Sequence, residues 1–440
     1  MIERTFTEAF SEEWIKQNIN ASTNEFVILR KIIPWQKMTS RLSKFYSNKK
    51  GRQGKSLRIL IALVIVSRLR LLSDGKVVQQ ATENRYIQYF CNIPDEDLQN
   101  FINPSTICTF RKRIGAEGAA ILEKEVFNLL RRTGIIKNDT QLIDSTVLED
   151  NIIYPTDVQL LYKSFGKMRQ FVRQNDLVVW WNEKDIKKLW REYNLAKSKE
   201  KINYLWDFYF VFAGALNTFQ IYLETIPFLL KTLEKGRQLY EILYLLNEQT
   251  IQKLSGQKNI KNRIVSLDEV DARPIKKGKS NPSCEFGTTL QISFNRDGFM
   301  ITTENFIGQP GDKTLFLNTL ALYKERMKGY AQKAVTDLGY RSINNLQGCK
   351  DKIETVFMGR IEDVPEKIRD YCKQARSATE GFIAVAKNWR GFGRSLYKGF
   401  EGDKIWTSLS QLAYNLHKFI QLDRNEKIEE ESLVKLGLYG

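Results

Sequence analysis

Residues 158–261 carry a helical pattern in a part of the chain that otherwise reads as strands, and this interruption limits the possible folds more than any other feature. Before it, Gln141-Leu142-Ile143-Asp144-Ser145-Thr146-Val147 is a β-type run with an acid embedded in it, and Asn151–Asp157 then turns the chain. After it, strands are expected again from Arg263 to Asp268. A segment of this length is too long for a loop, so it should fold as an inserted helical subdomain. Its Trp180, Trp181, Trp190 and Trp206 suit a core better than a base-stacking platform. Whatever sheet the chain makes must therefore be entered, left and entered again.

The remaining segments supply that sheet. Gly287–Phe294 and Phe299–Glu304 flank Asn295-Arg296-Asp297-Gly298, a strong hairpin signal. Thr314–Lys328 reads as an amphipathic helix, Ala334–Asp337 as a short strand ending at a glycine turn, and Ile353–Met358 as a last strand. Val364–Lys387 and Ser408–Leu422 are helical in pattern. With the insertion set aside, the order is β, β, β-hairpin, α, β, α, β, α, which predicts a mixed α/β sheet flanked by helices.

The first ~135 residues read as helices. Ser56–Leu72 and Lys76–Phe90 are followed by Asn103-Pro104-Ser105-Thr106 and a basic stretch containing Arg111, Lys112 and Arg113. Ser105 or Thr106 would cap a short helix that Gly115 ends. A short basic helix after two others resembles a helix-turn-helix, which makes these three cations candidate DNA contacts, with Lys49, Lys50, Arg52, Lys55 and Arg58 upstream. Cations also favour a helix C-terminus for its dipole alone.

Charge points to a polyanionic partner. Lys plus Arg number 68 against 51 Asp plus Glu, a net +17. Each phosphate such an excess neutralises releases condensed counterions. The five cysteines are widely spaced and suit reduced, structural thiols. With His417 as the single histidine, multi-histidine metal centres are excluded, and a nucleophile–His triad would depend on this one residue in an apolar helix. The polar start Met1-Ile2-Glu3-Arg4 has no secretory character. The apolar run Ile59–Val66, closed by Arg58 and Arg68, is too short to span a bilayer, so a soluble cytoplasmic protein is expected.

Chemistry then falls to carboxylates. Asp144 sits inside an apolar strand, where an unpaired acid is expensive. Asp337 ends another strand. Two acids on neighbouring strands, with a third on a helix alongside, can hold two hard cations about 4 Å apart for in-line phosphoryl displacement. The helix candidate places Arg376, Glu380 and Lys387 on one face, at spacings of four and seven. A plain i,i+4 salt bridge would use the same residues. Asp268 and Asp271 are rival acids whose context fits strand ends less well.

These residues carry a resemblance. The sequence resembles the DDE transposases of bacterial insertion sequences, which have a ribonuclease H-like core and the helix signature Tyr-x2-Arg-x3-Glu-x6-Lys. Arg376, Glu380 and Lys387 match its last three members, while Lys373 stands at the tyrosine position and Tyr371 two residues earlier. Gln141–Thr146 with Tyr154–Asp157 is similar to the family's first-aspartate block, and Ala334–Tyr340 to the second. Asp268–Lys279, continuing to Glu285–Gly287, resembles a block between them, and Pro104–Arg113 an N-terminal block. The likeness spans roughly residues 50 to 420.

The resemblance implies that Asp144, Asp337 and Glu380 bind two Mg²⁺ or Mn²⁺ ions, with Asp144 shared between them. It implies phosphate contacts at Arg376 and Lys387, and Lys276, Lys277 and Lys279 as backbone contacts or a solvated loop. It also implies double-stranded DNA as partner, namely terminal inverted repeats and target, with a homodimer assembled on them near the nucleoid. The domains expected are a helical DNA-binding region at 1–136, a ribonuclease H-like catalytic domain at 137–157 and 262–422, the insertion at 158–261 and a tail at 423–440. Two other readings use the same residues: a metal-dependent nuclease that cleaves without joining, and a transposase-derived DNA-binding protein without catalysis.

Overall fold

The computed structural model describes residues 8–20, 23–47, 54–99, 101–276 and 284–438. They divide into two compact units, one of residues 1–148, 289–306 and 310–440, the other of residues 149–288 and 307–309.

The first unit opens with helices α1 (Glu12–Asn18), α2 (Glu25–Ile32), α3 (Trp35–Leu42), α4 (Leu57–Leu69), α5 (Asp74–Glu83), α6 (Arg85–Cys91) and α7 (Pro104–Arg132). Side-chain caps set several starts: Ser73 accepts from Lys76 N at α5, and Asn84 from Tyr86 N and Ile87 N at α6. At α7 the cap is Asn103, with Pro104 in the first turn, and not Ser105 or Thr106. Pro104 has no N–H to satisfy, so the residue before it is the natural cap. Gly115, at φ +59°, ends the first short helix as expected, and a second helix begins directly beyond the kink, so α7 is two helices in one run. Every residue of α4 is buried, including Arg58 and Arg68 at its two ends. Those arginines are laid over Trp35 (3.2 Å) and Trp406 (3.6 Å).

The sheet follows. Strand β1 (Thr140–Asp150) pairs with β3 (Cys284–Phe294), β5 (Lys333–Thr336) and β7 (Arg394–Ser395), while β6 (Thr355–Met358) pairs with β5 and β4 (Met300–Ile307) with β3. β1–β5 and β5–β6 are parallel, whereas β3–β4 is the expected hairpin, closed by Gly298 at φ +86°. The result is a mixed open sheet in a mostly helical chain. Strand alternation divides its two faces. Leu142, Ile292, Val335 and Phe357 share a cluster with Cys372 and Ala375 of α14 (Arg369–Trp389) and with Trp406 and Tyr414 of α15 (Gly399–Arg424). Ile143, Ala334 and Met358 share another with Phe316 and Leu320 of α12 (Asp312–Met327) and Cys349 of α13 (Ile343–Cys349). Helices thus cover both faces. A last helix, α16 (Glu430–Lys435), joins the cluster built by α2–α7 and α15 through Leu433.

The second unit is the helical insertion: α8 (Asp157–Gln174), α9 (Glu183–Leu195), α10 (Lys201–Thr225) and α11 (Leu230–Leu254), with α10 packed on the other three. Phe165, Phe171, Phe208, Tyr209, Phe212 and Phe219 are buried aromatics of its core. Trp180, Trp181, Trp190 and Trp206 pack against that cluster as partly buried residues. The strand expected at Arg263–Asp268 is absent. Ile264 and Leu267 are buried in the helical core, and Ile264 N donates to the side chain of Gln249 (2.8 Å). Apolar residues that read as a strand are therefore held by a helix instead. The strand of this region, β2 (Arg273–Lys276), comes later and pairs with the first residues of β3. Among the described residues, no helix is long and apolar enough to cross a membrane.

Candidate active site

Asp144 and Asp337 come together because of register. In the parallel pair β1–β5, Leu142 stands opposite Val335. Each acid lies two residues beyond its strand's member of that pair, Asp144 within β1 and Asp337 just past the end of β5. This is the carboxyl end of adjacent parallel strands, where open α/β sheets place ligands.

Asp144 is 14% exposed and doubly held. Oδ1 accepts from Ser145 N (2.8 Å) and Oδ2 from Arg376 Nη1 (2.9 Å). Burial pushes its carboxyl up to about 6 against the pull of Arg376 and the Ser145 N–H, and the field of Asp337 pushes the same way. Asp337 caps the turn that follows β5, accepting from Gly339 N (2.9 Å).

A fourth acid belongs to this group. Asp312, in the first turn of α12, accepts from Ser145 Oγ (2.9 Å), and burial followed by the field of Asp337 raises its carboxyl. A Cβ on Gly339 would sit 3.0 Å from Asp337 Oδ1 and 3.1 Å from Asp312 Oδ2, so both acids crowd one backbone position. Asp312 carries no sequence signal of its own, because an acid opening a helix reads as a partner for its dipole.

Glu380 stands apart. It is 68% exposed and meets Arg376 Nη2 at 3.3 Å, so one guanidinium joins Asp144 to Glu380. Among the described residues, no three His, Cys, Asp or Glu side chains form a group ready to hold a metal ion. The donor set nonetheless suits a hard divalent cation. Asp144, Asp337 and Asp312 offer carboxylate oxygens alone, and the two with raised carboxyls feel the field of Asp337. Lys387 is half-buried, seven residues beyond Glu380 on α14.

The hydroxyl of Tyr371 meets Thr140 Oγ1 (2.5 Å), at the start of β1. Asp144 lies four positions beyond Thr140 on the strand, roughly 13 Å at about 3.3 Å per residue, so Tyr371 is anchored at the opposite end of this stretch of β1, while Lys373 is exposed.

The basic candidates scatter. Arg111 is buried and donates both Nη atoms to Asp74 (2.6 and 2.7 Å), while Lys112 and Arg113 are exposed. Lys276 is exposed at the end of β2, and Lys277 and Lys279 lie outside the described residues, as do Lys49, Lys50 and Arg52. His417 accepts from the Arg390 guanidinium. Burial, with Arg390 and further cations nearby, brings its imidazole down to about 4.

Gly359 secures the turn carrying Asp337. It follows β6 at φ +71°, and a Cβ there would lie 2.6 Å from Leu338 N and 2.8 Å from Leu338 Cα. Gly359→Ala should cost at least about 2 kcal/mol, since both the left-handed backbone and the clash oppose it. A urea melt in which the midpoint does not move would contradict this.

Residues 13–113 match the family model described as "Transposase domain (DUF772)". A protein of Rhizobium meliloti, "Uncharacterized protein ORF8 in nfe locus", is 29% identical over 154 residues, 34% of this chain and 74% of that protein. No solved structure matches. The matched domain precedes every candidate acid, so the similarity to a transposase domain is confined to the helical N-terminal part of the chain.

Proposed function

We propose that the chain is a DDE transposase with a ribonuclease H-like catalytic core, which cleaves the ends of a DNA element and joins them to target DNA. The observation that supports this reading is the register of β1 and β5, in which Asp144 and Asp337 each follow the paired Leu142 and Val335 by two residues. Asp144, Asp337 and Glu380 would hold Mg²⁺ or Mn²⁺, with Asp312 beside them. Such ions, when bound, stabilise charge on the attacking and leaving oxygens of a phosphoryl displacement.

The chain's own residues do the rest. Arg376 keeps Asp144 ionised and oriented, and releasing Glu380 from the same guanidinium would free that acid to turn inward. Arg376 and Lys387 supply phosphate contacts along one face of α14, and a guanidinium suits a bidentate phosphate contact better than an ammonium does. Exposed Lys112, Arg113 and Lys276, with Lys277 and Lys279, would meet the DNA backbone. Arg111, tied to Asp74, would shape that surface more than touch DNA. Two ends must be held at once, so the working form would be a homodimer on DNA.

The test uses the full chain with linear DNA bearing the ends that flank its gene. With Mg²⁺ or Mn²⁺ it should release 3′-hydroxyl ends and join them to a plasmid, and chelation should stop both. Asp337→Ala should reduce cleavage more than about 100-fold, as expected for loss of a metal-holding acid. Cleavage without joining would narrow the activity to a nuclease. A folded chain that binds these ends yet never cuts them would defeat the reading.

A further inference from the structure

Within the first unit, a cavity of about 1130 Å³ lies among α4, α5, α7 and the chain running from the end of α14 into α15. Its lining is unbalanced in charge. Arg68, Arg111, Lys112, Lys387, Arg394 and Lys398 face it, against Asp74 and Glu401. The rest is largely apolar or aromatic, including Leu72, Leu396, Tyr397, Ile405 and Trp406.

Arg68 is the informative residue. It is 4% exposed, and its guanidinium lies 3.6 Å over the Trp406 ring. Nη2 donates to Ser410 Oγ (2.8 Å), while the buried Nε has no hydrogen-bond partner. Among the described residues, no carboxylate lies within ion-pair distance of it. Arg111, by contrast, is neutralised by Asp74 and lies 4.5 Å over Tyr397. A buried cation without an acid opposes folding. Burial accordingly brings the Arg68 guanidinium down to about 10. An anion entering the cavity would reverse that cost. The apolar and aromatic walls ask for more than an anion, since a bare oxyanion would leave them unused. A planar ring attached to a phosphate satisfies both, and the cavity, slightly above the roughly 300–1,000 Å³ of small-molecule pockets, has room for it.

We propose that this cavity binds a nucleotide, its phosphate against Arg68 and the lysine rim and its base against the apolar and aromatic wall. Lys387 ties the site to the carboxylates: it lines the cavity and follows Glu380 by seven residues, about 10 Å of helix. The nucleotide is then an unpaired one at the end of a DNA strand whose neighbouring phosphates reach the acids. That assignment of source rests on the transposase reading, and a free mononucleotide shares the chemistry.

Calorimetric titration of the full chain without divalent ions separates these cases. The probes are thymidine 5′-monophosphate, inorganic phosphate, a blunt duplex and the same duplex with three unpaired 3′ nucleotides. The overhang duplex should bind at least tenfold tighter than the blunt one, and the mononucleotide tighter than phosphate. Arg68→Met should remove the tenfold preference while leaving the melting temperature unchanged or higher. Lys398→Glu, an exposed change on the rim, should reduce the preference severalfold, and it keeps the test available if Arg68→Met does not fold. Mononucleotide binding without an overhang preference would make a free nucleotide the ligand. Equal affinity for phosphate and mononucleotide overturns the proposal, as does a preference that both variants retain. Because no cleavage is measured, a chain that binds nucleotides but never cuts DNA keeps this site and loses the catalytic reading.

Discussion

Asp144→Asn is expected to abolish divalent-dependent strand cleavage and, in the metal-free chain at pH 7.5, to raise the melting temperature. The two effects share one cause. Burial lifts the Asp144 carboxyl to about 6, above the ~3.9 of an unfolded aspartate. A raised carboxyl contributes stability that is full below about 3.9 and lost as pH rises through about 6. At pH 7.5 the folded chain therefore carries a buried charge it would be more stable without. Two pK units correspond to roughly 3 kcal/mol at most, a few degrees in Tm for a chain of this size. Asparagine keeps an acceptor for Arg376, and Arg376 retains Glu380. Cleavage should fall by about 10³-fold or more, since bound ions supply several kcal/mol of charge stabilisation. At pH 5 the gain in Tm should shrink. A lower Tm at pH 7.5, or cleavage that survives, would count against the assignment of Asp144.

The second large effect falls on the helical insertion. Asp157, 11% exposed in the first turn of α8, accepts from Arg263 (2.6 Å) and from Lys253 of α11. Burial alone would raise its carboxyl, but Arg263 and Lys253 outweigh burial and hold it below the usual range. A lowered carboxyl contributes stability that is present above the unfolded value near 3.9 and lost as pH falls. Asp157→Asn leaves two half-exposed cations facing a group without charge and should cost about 1–3 kcal/mol, the range for a hydrogen bond to a charged group. The helical circular dichroism signal should melt in a separate, earlier step at pH 7 in the variant, and the difference from the parent should narrow below pH 4. An unchanged melt would show that the pair is ornamental. This acid also falls in the Tyr154–Asp157 block of the family likeness, and here its charge ties helices together.

The elements were most legible where one local cause suffices. Asn295–Gly298 needed only a turn with positive φ, and the hairpin formed there. The insertion announced itself by length and period. Residues 263–268 look like a strand in sequence because buried apolar residues look alike whether a ladder or, as for Ile264 N, the Gln249 side chain satisfies the backbone. Asp144 and Asp337 stand out locally as acids in and at the end of apolar strands, whereas their equivalent places beyond Leu142 and Val335 depend on a register no local pattern encodes. Asp312 was invisible for the same reason, since its place beside Ser145 is a tertiary fact. Arg58 and Arg68, read as the charged ends that stop an apolar run, are instead buried on tryptophans distant in sequence.

The lone imidazole has a practical consequence for pH profiles. With the His417 imidazole brought down to about 4, it is mostly neutral from pH 5 upward and contributes little proton exchange between pH 5 and 8. In the metal-free chain, a stability profile that bends near 6 in that window would point to Asp144, although its shape would invite attribution to the histidine.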